Sequence, residues 1–270
     1  AKHPDGSVRH AVISAVLPTL AAGEVRTVSL VRTAPTAASA PTASALLNAG
    51  FKSSFEATLG GVRYTASAGG LIKNAPPVTW LNASTVSEWQ VSAPLKTGAG
   101  AAHPHLSARF AVRWYDAIKK ARVDVTIENN WAYEPAPQNF TYNAQVLVGG
   151  NTVYAKSALT HYHHARWRKT FWWNGTAPQV NVKHNTGYLI ASRALPNYDQ
   201  TLSIPESVLV DLNKRFSGKV IEPMGNGLTE PYMPTTGGRD DIGMLPQWAV
   251  VYLLSMDRRA RDVTLGTAEM

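Results

Sequence analysis

The chain has 270 residues, 44% of them hydrophobic and 16% charged, with 26 basic against 18 acidic side chains and no cysteine. That length supports a sizeable core in one or two domains, and the lack of cysteine excludes disulfides and thiolate metal centres. No apolar run reaches the about 18 residues that a membrane-spanning helix needs, so a membrane is not expected as a partner.

The net charge of +8 is unevenly placed. Residues 1–100 hold eight basic and four acidic side chains, residues 101–183 ten and four, and residues 184–270 eight and ten. The basic first two-thirds favours an anionic partner, such as an acidic glycan, nucleic acid or an acidic neighbouring subunit; a basic surface kept for solubility fits as well.

Lys2 to Arg9 carries a turn signature in Pro4, Asp5 and Gly6. Val8 to Leu17 and Glu24 to Val31 alternate β-branched with polar residues, which predicts two strands joined by a loop ending at Gly23. The opening A-K-H-P-D-G-S has neither the charged nor the apolar part of a secretory leader, and the first strand has little chain before it to pair with. At the other end the last helical pattern stops at Met270 without further helices. Both features read as those of a segment of a longer polypeptide. Residues 33–43, broken by Pro35 and Pro41, predict a loop leading to a short helix over Ser44 to Asn48, with Ser44 as its N-cap.

Ser54 to Leu59 and Val62 to Ser67 flank Gly60-Gly61, a two-residue hairpin signal. Trp80 opens an extended stretch, Val86 to Leu95 alternates as a strand, and a flexible G-A-G-A-A tract leads to His103-Pro104-His105. Leu106 to Tyr115 and Arg122 to Trp131 are long alternating strands around a turn at Ala117 to Lys120, with Phe110, Val112 and Trp114 on a core face and Arg109 and Arg113 on a basic one. Asn139 to Val148 and Thr152 to Lys156 form a further hairpin about Gly149-Gly150. Many short strands with frequent turns predict a mainly β fold, an antiparallel β-sandwich or barrel-like domain over residues 1–184.

From Asn185 the pattern turns helical. Gly187 to Leu195 and Pro205 to Phe216 precede a Gly/Pro-rich crossing over Pro223 to Gly243, and Leu245 to Ser255 with Arg258 to Thr267 read as a helical hairpin. The charge changes sign at the same place, which sets residues 185–270 apart as a helical segment.

The stretch His161 to Trp173, H-Y-H-H-A-R-W-R-K-T-F-W-W, concentrates histidines, cations and aromatics. His161, His164, Arg166, Trp167, Arg168, Trp172 and Trp173 are the candidate ligand-binding residues. Sugars stack on aromatic rings while cations hold carboxylates, and nucleic acid uses the same residue types. The alternative is that the tryptophans fill a domain interface with the cations as its rim. His161 and His163 share a strand face, with His103, His105 or His184 as a third ligand for a metal. No acidic residue lies near the trio and the adjacent cations repel a metal ion, so neither a metal nor another cofactor is expected.

A second run, Pro231 to Gly243, pairs two glycines with Arg239, Asp240 and Asp241. There Arg239 could hold an acid group and an aspartate accept hydroxyl protons. In the structural alternative, Asp240 or Asp241 caps the helix beginning near Leu245 and Arg239 pairs with one of them. No phosphate-binding loop, G-x-G-x-x-G, G-x-S-x-G or H-E-x-x-H occurs, and adjacent aspartates are poorly placed for a glycosidase pair.

H-P-D-G-S-V-R-H-A (His3 to Ala11), a β-rich region, and then T-G-G-R-D-D-I-G-M-L-P-Q-W (Thr236 to Trp248) opening a helical hairpin together resemble the N-terminal part of exo-rhamnogalacturonan-lyase-like proteins. Similar sequences occur in uncharacterised bacterial and bacteriophage proteins. The resemblance implies a β domain followed by the start of an α/α toroid, of which only one hairpin is present. It also implies β-elimination from a uronic acid, with His163 or Tyr232 as base, Arg239 or Arg166 neutralising the carboxylate, and Asp240 lining the cleft. The expected function is a carbohydrate-binding or carbohydrate-processing module of a larger protein, acting on an acidic polysaccharide or host glycan outside the cell or on a virion. The rivals are a non-catalytic structural or attachment subunit of a phage-like assembly and, last, a nucleic-acid binder.

Overall fold

The computed structural model describes residues 2–29, 31, 38–230, 232 and 239–270. The fold is mainly β: nine strands form one antiparallel sheet that curls into a nearly closed barrel, with a few short helices around it. The elements are α1 (Ala43–Asn48), β1 (Ser53–Leu59), β2 (Val62–Ser67), α2 (Ala68–Asn74), β3 (Val78–Ala83), β4 (Val86–Thr97), β5 (Ala102–Tyr115), β6 (Lys120–Asn129), β7 (Phe140–Val148), β8 (Asn151–His161), β9 (Ala165–Trp173), α3 (Thr186–Ala191), α4 (Glu206–Arg215), α5 (Gln247–Ser255) and α6 (Arg258–Thr267).

The strands run in the order β8-β7-β1-β2-β4-β5-β6-β9, with β3 added to β4. The β1/β2 hairpin closes at Leu59 opposite Val62, and its two central residues, Gly60 and Gly61, both have positive φ, the geometry that matches strand twist. Strand alternation then sends one set of side chains inward. Leu106, Ala108, Phe110, Val112 and Trp114 of β5 and Ala121, Val123, Val125 and Ile127 of β6 are buried together with Phe55, Tyr142 and Val146. Helices α1 and α2 add Leu46, Ala68 and Ile72 to the same core.

Helix α1 begins one residue before the expected position, because Thr42, in extended conformation, accepts the capping bond from the Ala45 N–H at 3.1 Å and leaves Ser44 inside the first turn. Helix α2 was not legible in A-G-G-L-I-K-N, whose two glycines disfavour a helix. Capping by the Ser67 hydroxyl and burial of Ala68 and Ile72 hold it.

The strands expected over Val8 to Leu17 and Glu24 to Val31 do not form among the described residues. The turn at Pro4 to Gly6 is present and Lys2 bridges Val8, but residues 9–29 make no ladder, and Val8, Ile13, Val25 and Val28 are exposed. Alternation predicts a strand only where another edge accepts its backbone bonds. Leu30 and residues 32–37, part of the expected strand and loop, lie outside the described residues.

Beyond β9 a second apolar cluster gathers Leu209, Leu212, Leu228, Trp248, Val251, Ala260 and Val263 from α4, α5, α6 and the loop between them. Between α4 and α5 a 3-10 turn over Gly218–Ile221 meets the barrel. β8 and β9 are joined by the turn at residues 162–164, yet no ladder pairs them, and this seam is where the second segment docks. Lys169 Nζ donates to the Ile221 carbonyl at 3.3 Å, Tyr154 on β8 donates to Glu222 at 3.1 Å, Arg168 pairs with Glu269 at 2.8 Å, and Met224 packs on the barrel core. Among the described residues no helix is long and apolar enough to cross a membrane.

Candidate ligand-binding face

The pleat divides β9. Trp167, Lys169, Phe171 and Trp173 lie opposite the inward residues Ile127, Val125, Val123 and Ala121 of β6, whereas Arg166, Arg168, Thr170 and Trp172 lie opposite Glu128, Thr126, Asp124 and Arg122 on the outer face. The segment expected to be one ligand-facing surface therefore serves two purposes.

Its inward half is structural. Trp167 is 3% exposed, meets Phe55 edge-on at 5.6 Å, and donates its indole N–H to the Tyr142 hydroxyl at 3.0 Å. Tyr142 in turn donates to Nδ1 of the fully buried His161 at 2.9 Å, leaving Nε2–H for the Ala165 carbonyl at 3.0 Å. Indole is only a donor, so this order is the one that satisfies every group. Burial pushes the Tyr142 phenol up and the His161 imidazole down to about 4, so both stay neutral. His161 and Trp167 thus offer no side chain to a ligand. Trp173 packs against Phe51 and Trp114 at the other end of the barrel, and Lys169 sits 4.9 Å above the Tyr154 ring, beneath the docked segment.

The outer half belongs to a polar sheet. Register places Glu88, Arg113, Arg122 and Trp172 in one row across β4, β5, β6 and β9, and Ser92, Arg109, Thr126 and Arg168 in another. Arg113 meets Glu88 at 2.5 Å, Arg109 meets Glu128 at 2.8 Å, and Arg122 holds both oxygens of Asp124 at 3.0 and 2.9 Å. The Thr170 hydroxyl also donates to Asp124, at 2.5 Å. Glu88, Asp124 and Glu128 are only 5%, 9% and 6% exposed, and charges so buried persist only when paired. Tyr115 and Trp172 stack at one end of this face with planes 15° apart. Arg166 stands exposed beside Glu128 at the other end and makes no ion pair among the described residues.

Next to Arg166 two loops are sewn together. Asn129 Nδ2 donates to the Gln138 carbonyl at 2.9 Å and the His161 carbonyl at 3.3 Å, and its own carbonyl accepts the His164 N–H at 2.7 Å. Asn139 Oδ1 accepts the His163 backbone N–H and lies 2.9 Å from its Nδ1, which therefore carries the proton. His163 and His164 are exposed there with Trp131, Tyr133 and Tyr162, which are 61%, 98% and 52% exposed. Trp131 and Tyr133 do not stand out in the sequence, because W-A-Y-E-P-A-P continues a strong strand pattern; aromatics interrupted by prolines are the available signal.

His103 and His105 lie buried at this end of the barrel against Phe140. Nδ1 of His103 accepts the backbone N–H groups of His105 and Leu106 at 3.1 and 2.9 Å, tying a bulge where the β4/β5 register shifts. Burial, then the neighbouring His105, brings His103 down to about 4. Among the described residues no group of three His, Asp or Glu side chains is disposed to hold a metal ion.

The second candidate run does not join this face. Arg239 engages both oxygens of Asp241, at 2.9 and 2.7 Å, and the carbonyls of Tyr232 and Glu230. The guanidinium holds the Asp241 carboxyl down to about 2. Asp240 accepts from Arg215 at 2.8 Å. Neither aspartate side chain caps α5, which starts after Pro246 with Gln247 N–H bonded to the Asp240 backbone carbonyl. The Tyr232 side chain is 65% exposed. No hydrogen bond, ion pair or ring contact among the described residues links His163 to Tyr232, Arg239 or Asp240; Pro231 and residues 233–238 lie outside the described residues. Comparison with protein-family models, with curated proteins and with solved structures returns no match.

Proposed function

We propose that this chain is a glycan-binding module whose barrel takes a polysaccharide along the outer face of β4, β5, β6 and β9. The observation that carries the reading is the set of nearly buried carboxylates, Glu88, Asp124 and Glu128, each held by an arginine on the outer face of the sheet, whose Arg168 also reaches Glu269 of the helical segment. A face kept only for solubility needs mobile, hydrated charges. Guanidinium and carboxylate planes fixed against one another instead offer donors and acceptors in set directions, which suits the hydroxyls of a sugar and lowers the ordering cost of binding. Tyr115 and Trp172 add a ring platform at one end, and Trp131, Tyr133 and Tyr162 supply exposed rings at the other.

The face carries five arginines, at 109, 113, 122, 166 and 168, against Glu88, Asp124, Glu128 and Glu269. Arg166 makes no ion pair among the described residues, which favours a glycan bearing spaced carboxylates. The resemblance to exo-rhamnogalacturonan-lyase-like proteins points to the same ligand class and to a helical segment that opens a larger α/α domain. Binding without turnover is favoured over elimination, because Arg239 and Asp240 are already engaged by Asp241 and Arg215. Such a module would act as an attachment part of a larger protein or assembly.

The test is retention of acidic and neutral polysaccharides by the purified chain, with ultraviolet absorbance of unsaturated product followed in parallel. Retention of acidic polysaccharide, weakened by Arg166→Ala and Trp172→Ala and without new absorbance, is expected. New absorbance lost in Tyr232→Phe would instead establish a lyase. Retention of DNA with a steep salt dependence and of no glycan would sink both readings.

A further inference from the structure

A cleft of about 460 Å³ opens in the helical segment, away from the polar sheet face, between the start of α3, the loop before α4 and the end of α5. Its volume falls in the range of small-molecule sites, about 300–1,000 Å³. His184, Thr186 and Gln200 supply its polar lining, and Leu202, Leu254 and Met256 its apolar lining; no Asp, Glu, Lys or Arg borders it.

Two of the polar groups, His184 and Thr186, are held in place. The Leu253 carbonyl accepts both from His184 Nε2–H at 2.8 Å and from the Thr186 hydroxyl at 2.7 Å. That bond sets the imidazole tautomer, leaving Nδ1 as an acceptor, and the ring is further held edge-on to Tyr252. Gly187 borders the cleft beside Gln200: a Cβ there would come 3.3 Å from Gln200 Oε1 and 3.5 Å from Asn185 Oδ1, so a larger side chain would push into the space that the Gln200 amide occupies. The Gln200 amide has no hydrogen-bond partner among the described residues, and Leu202 beside it is 67% exposed.

We infer that this cleft is a second binding site, for one neutral hydroxylated ring of monosaccharide size. A pyranose has an apolar C–H face suited to Leu202, Leu254 and Met256, and vicinal hydroxyls suited to the Gln200 amide, the Thr186 oxygen and His184 Nδ1. A uronate does not fit, because no cation compensates the desolvation of its carboxylate. The site does not depend on the polysaccharide face, which uses arginines in another part of the molecule.

Saturation-transfer NMR on the full chain, with methyl glucoside, methyl galactoside, methyl mannoside and methyl glucuronide as separate probes, tests this. At least one neutral glycoside is expected to receive saturation through its ring protons, with the glucuronide bound at least five-fold more weakly at pH 7. Gln200→Ala, an exposed and unpartnered position, should weaken binding about five-fold, and Gly187→Val should abolish it. Arg166→Ala should leave it unchanged while weakening polysaccharide retention. No transfer to any neutral glycoside, equal binding of the glucuronide, or full binding by both cleft variants with native circular dichroism overturns the inference. Loss of monosaccharide binding in Arg166→Ala also overturns it, by placing the sugar on the sheet face.

Discussion

Tyr142 and His161 meet 2.9 Å apart inside the barrel, the tyrosine giving its proton to Nδ1 while accepting one from Trp167. Tyr142→Phe keeps the ring but leaves two buried groups without a partner. It should destabilise the chain by about 1–3 kcal/mol, read from the denaturant midpoint. An unchanged midpoint would show that this network is not closed in solution.

The two halves of β9 should separate cleanly by mutation. Trp167→Ala removes a buried indole and should cost about 3–5 kcal/mol of stability. Trp172→Ala, on the outer face beside Tyr115, should leave the thermal midpoint within a few degrees and lower glycan retention. Equal loss of stability in both would place Trp172 in the core.

Acid should loosen the barrel before most carboxylates titrate. His103 and His161 have an ordinary value of 6.5 and a folded value of about 4. Between those values the unfolded chain takes up protons that the folded chain refuses, so stability is full above pH 6.5 and falls as pH drops toward 4. The slope is about 1.4 kcal/mol per pH unit for each histidine. His103→Asn can still accept the His105 and Leu106 N–H bonds through its side-chain oxygen, and should flatten the profile in urea titrations between pH 7 and 4.5.

Within the outer sheet, Glu88→Ala should be far more damaging than removal of a surface charge. It strands Arg113, whose side chain is 23% exposed, beside a hole left by a carboxylate that was 7% exposed. A loss of about 3 kcal/mol is expected from the lower end of the buried-pair range. Glu88→Gln retains an acceptor and should recover part of that loss in the same unfolding experiment.

Gly266→Ala tests the helical cluster. A Cβ there would overlap Cζ of Phe216, so ring or helix must shift. Overpacking of this kind costs about 1–3 kcal/mol. Phe216→Leu combined with Gly266→Ala should regain part of it, and additive losses would deny that the two residues touch.

Period-two alternation made β1, β2 and β4 to β8 readable, because residues such as Phe110, Val112 and Trp114 announce a buried face without any knowledge of their partners, whereas the charges and aromatics of Ala165–Trp173 hid β9. The same rule overshot at Val12 and Val28, where the pattern is present and no neighbouring edge is. Arg109 and Arg113 were legible as a basic face, but their neutralisation by Glu128 and Glu88 was not. Those residues come from other strands, and only register brings them opposite. His161 and Trp167 looked like surface residues because composition cannot tell which side of a pleat a histidine or tryptophan takes. Tyr142, the hydroxyl that settles it, lies on another strand.

The unpaired seam between β8 and β9 also has a meaning in time. As the chain emerges from the ribosome, Trp173 completes the sheet well before Ile221, Glu222 and Met224 exist to lie across Tyr154 and Lys169. For that interval the nascent barrel presents two strand edges and a half-covered aromatic interior, the surface that chaperones and like chains recognise. Emergence of the segment that carries Ile221, Glu222 and Met224 is therefore a step in sealing the barrel, and a ribosome stalled between β9 and α4 would hold it open.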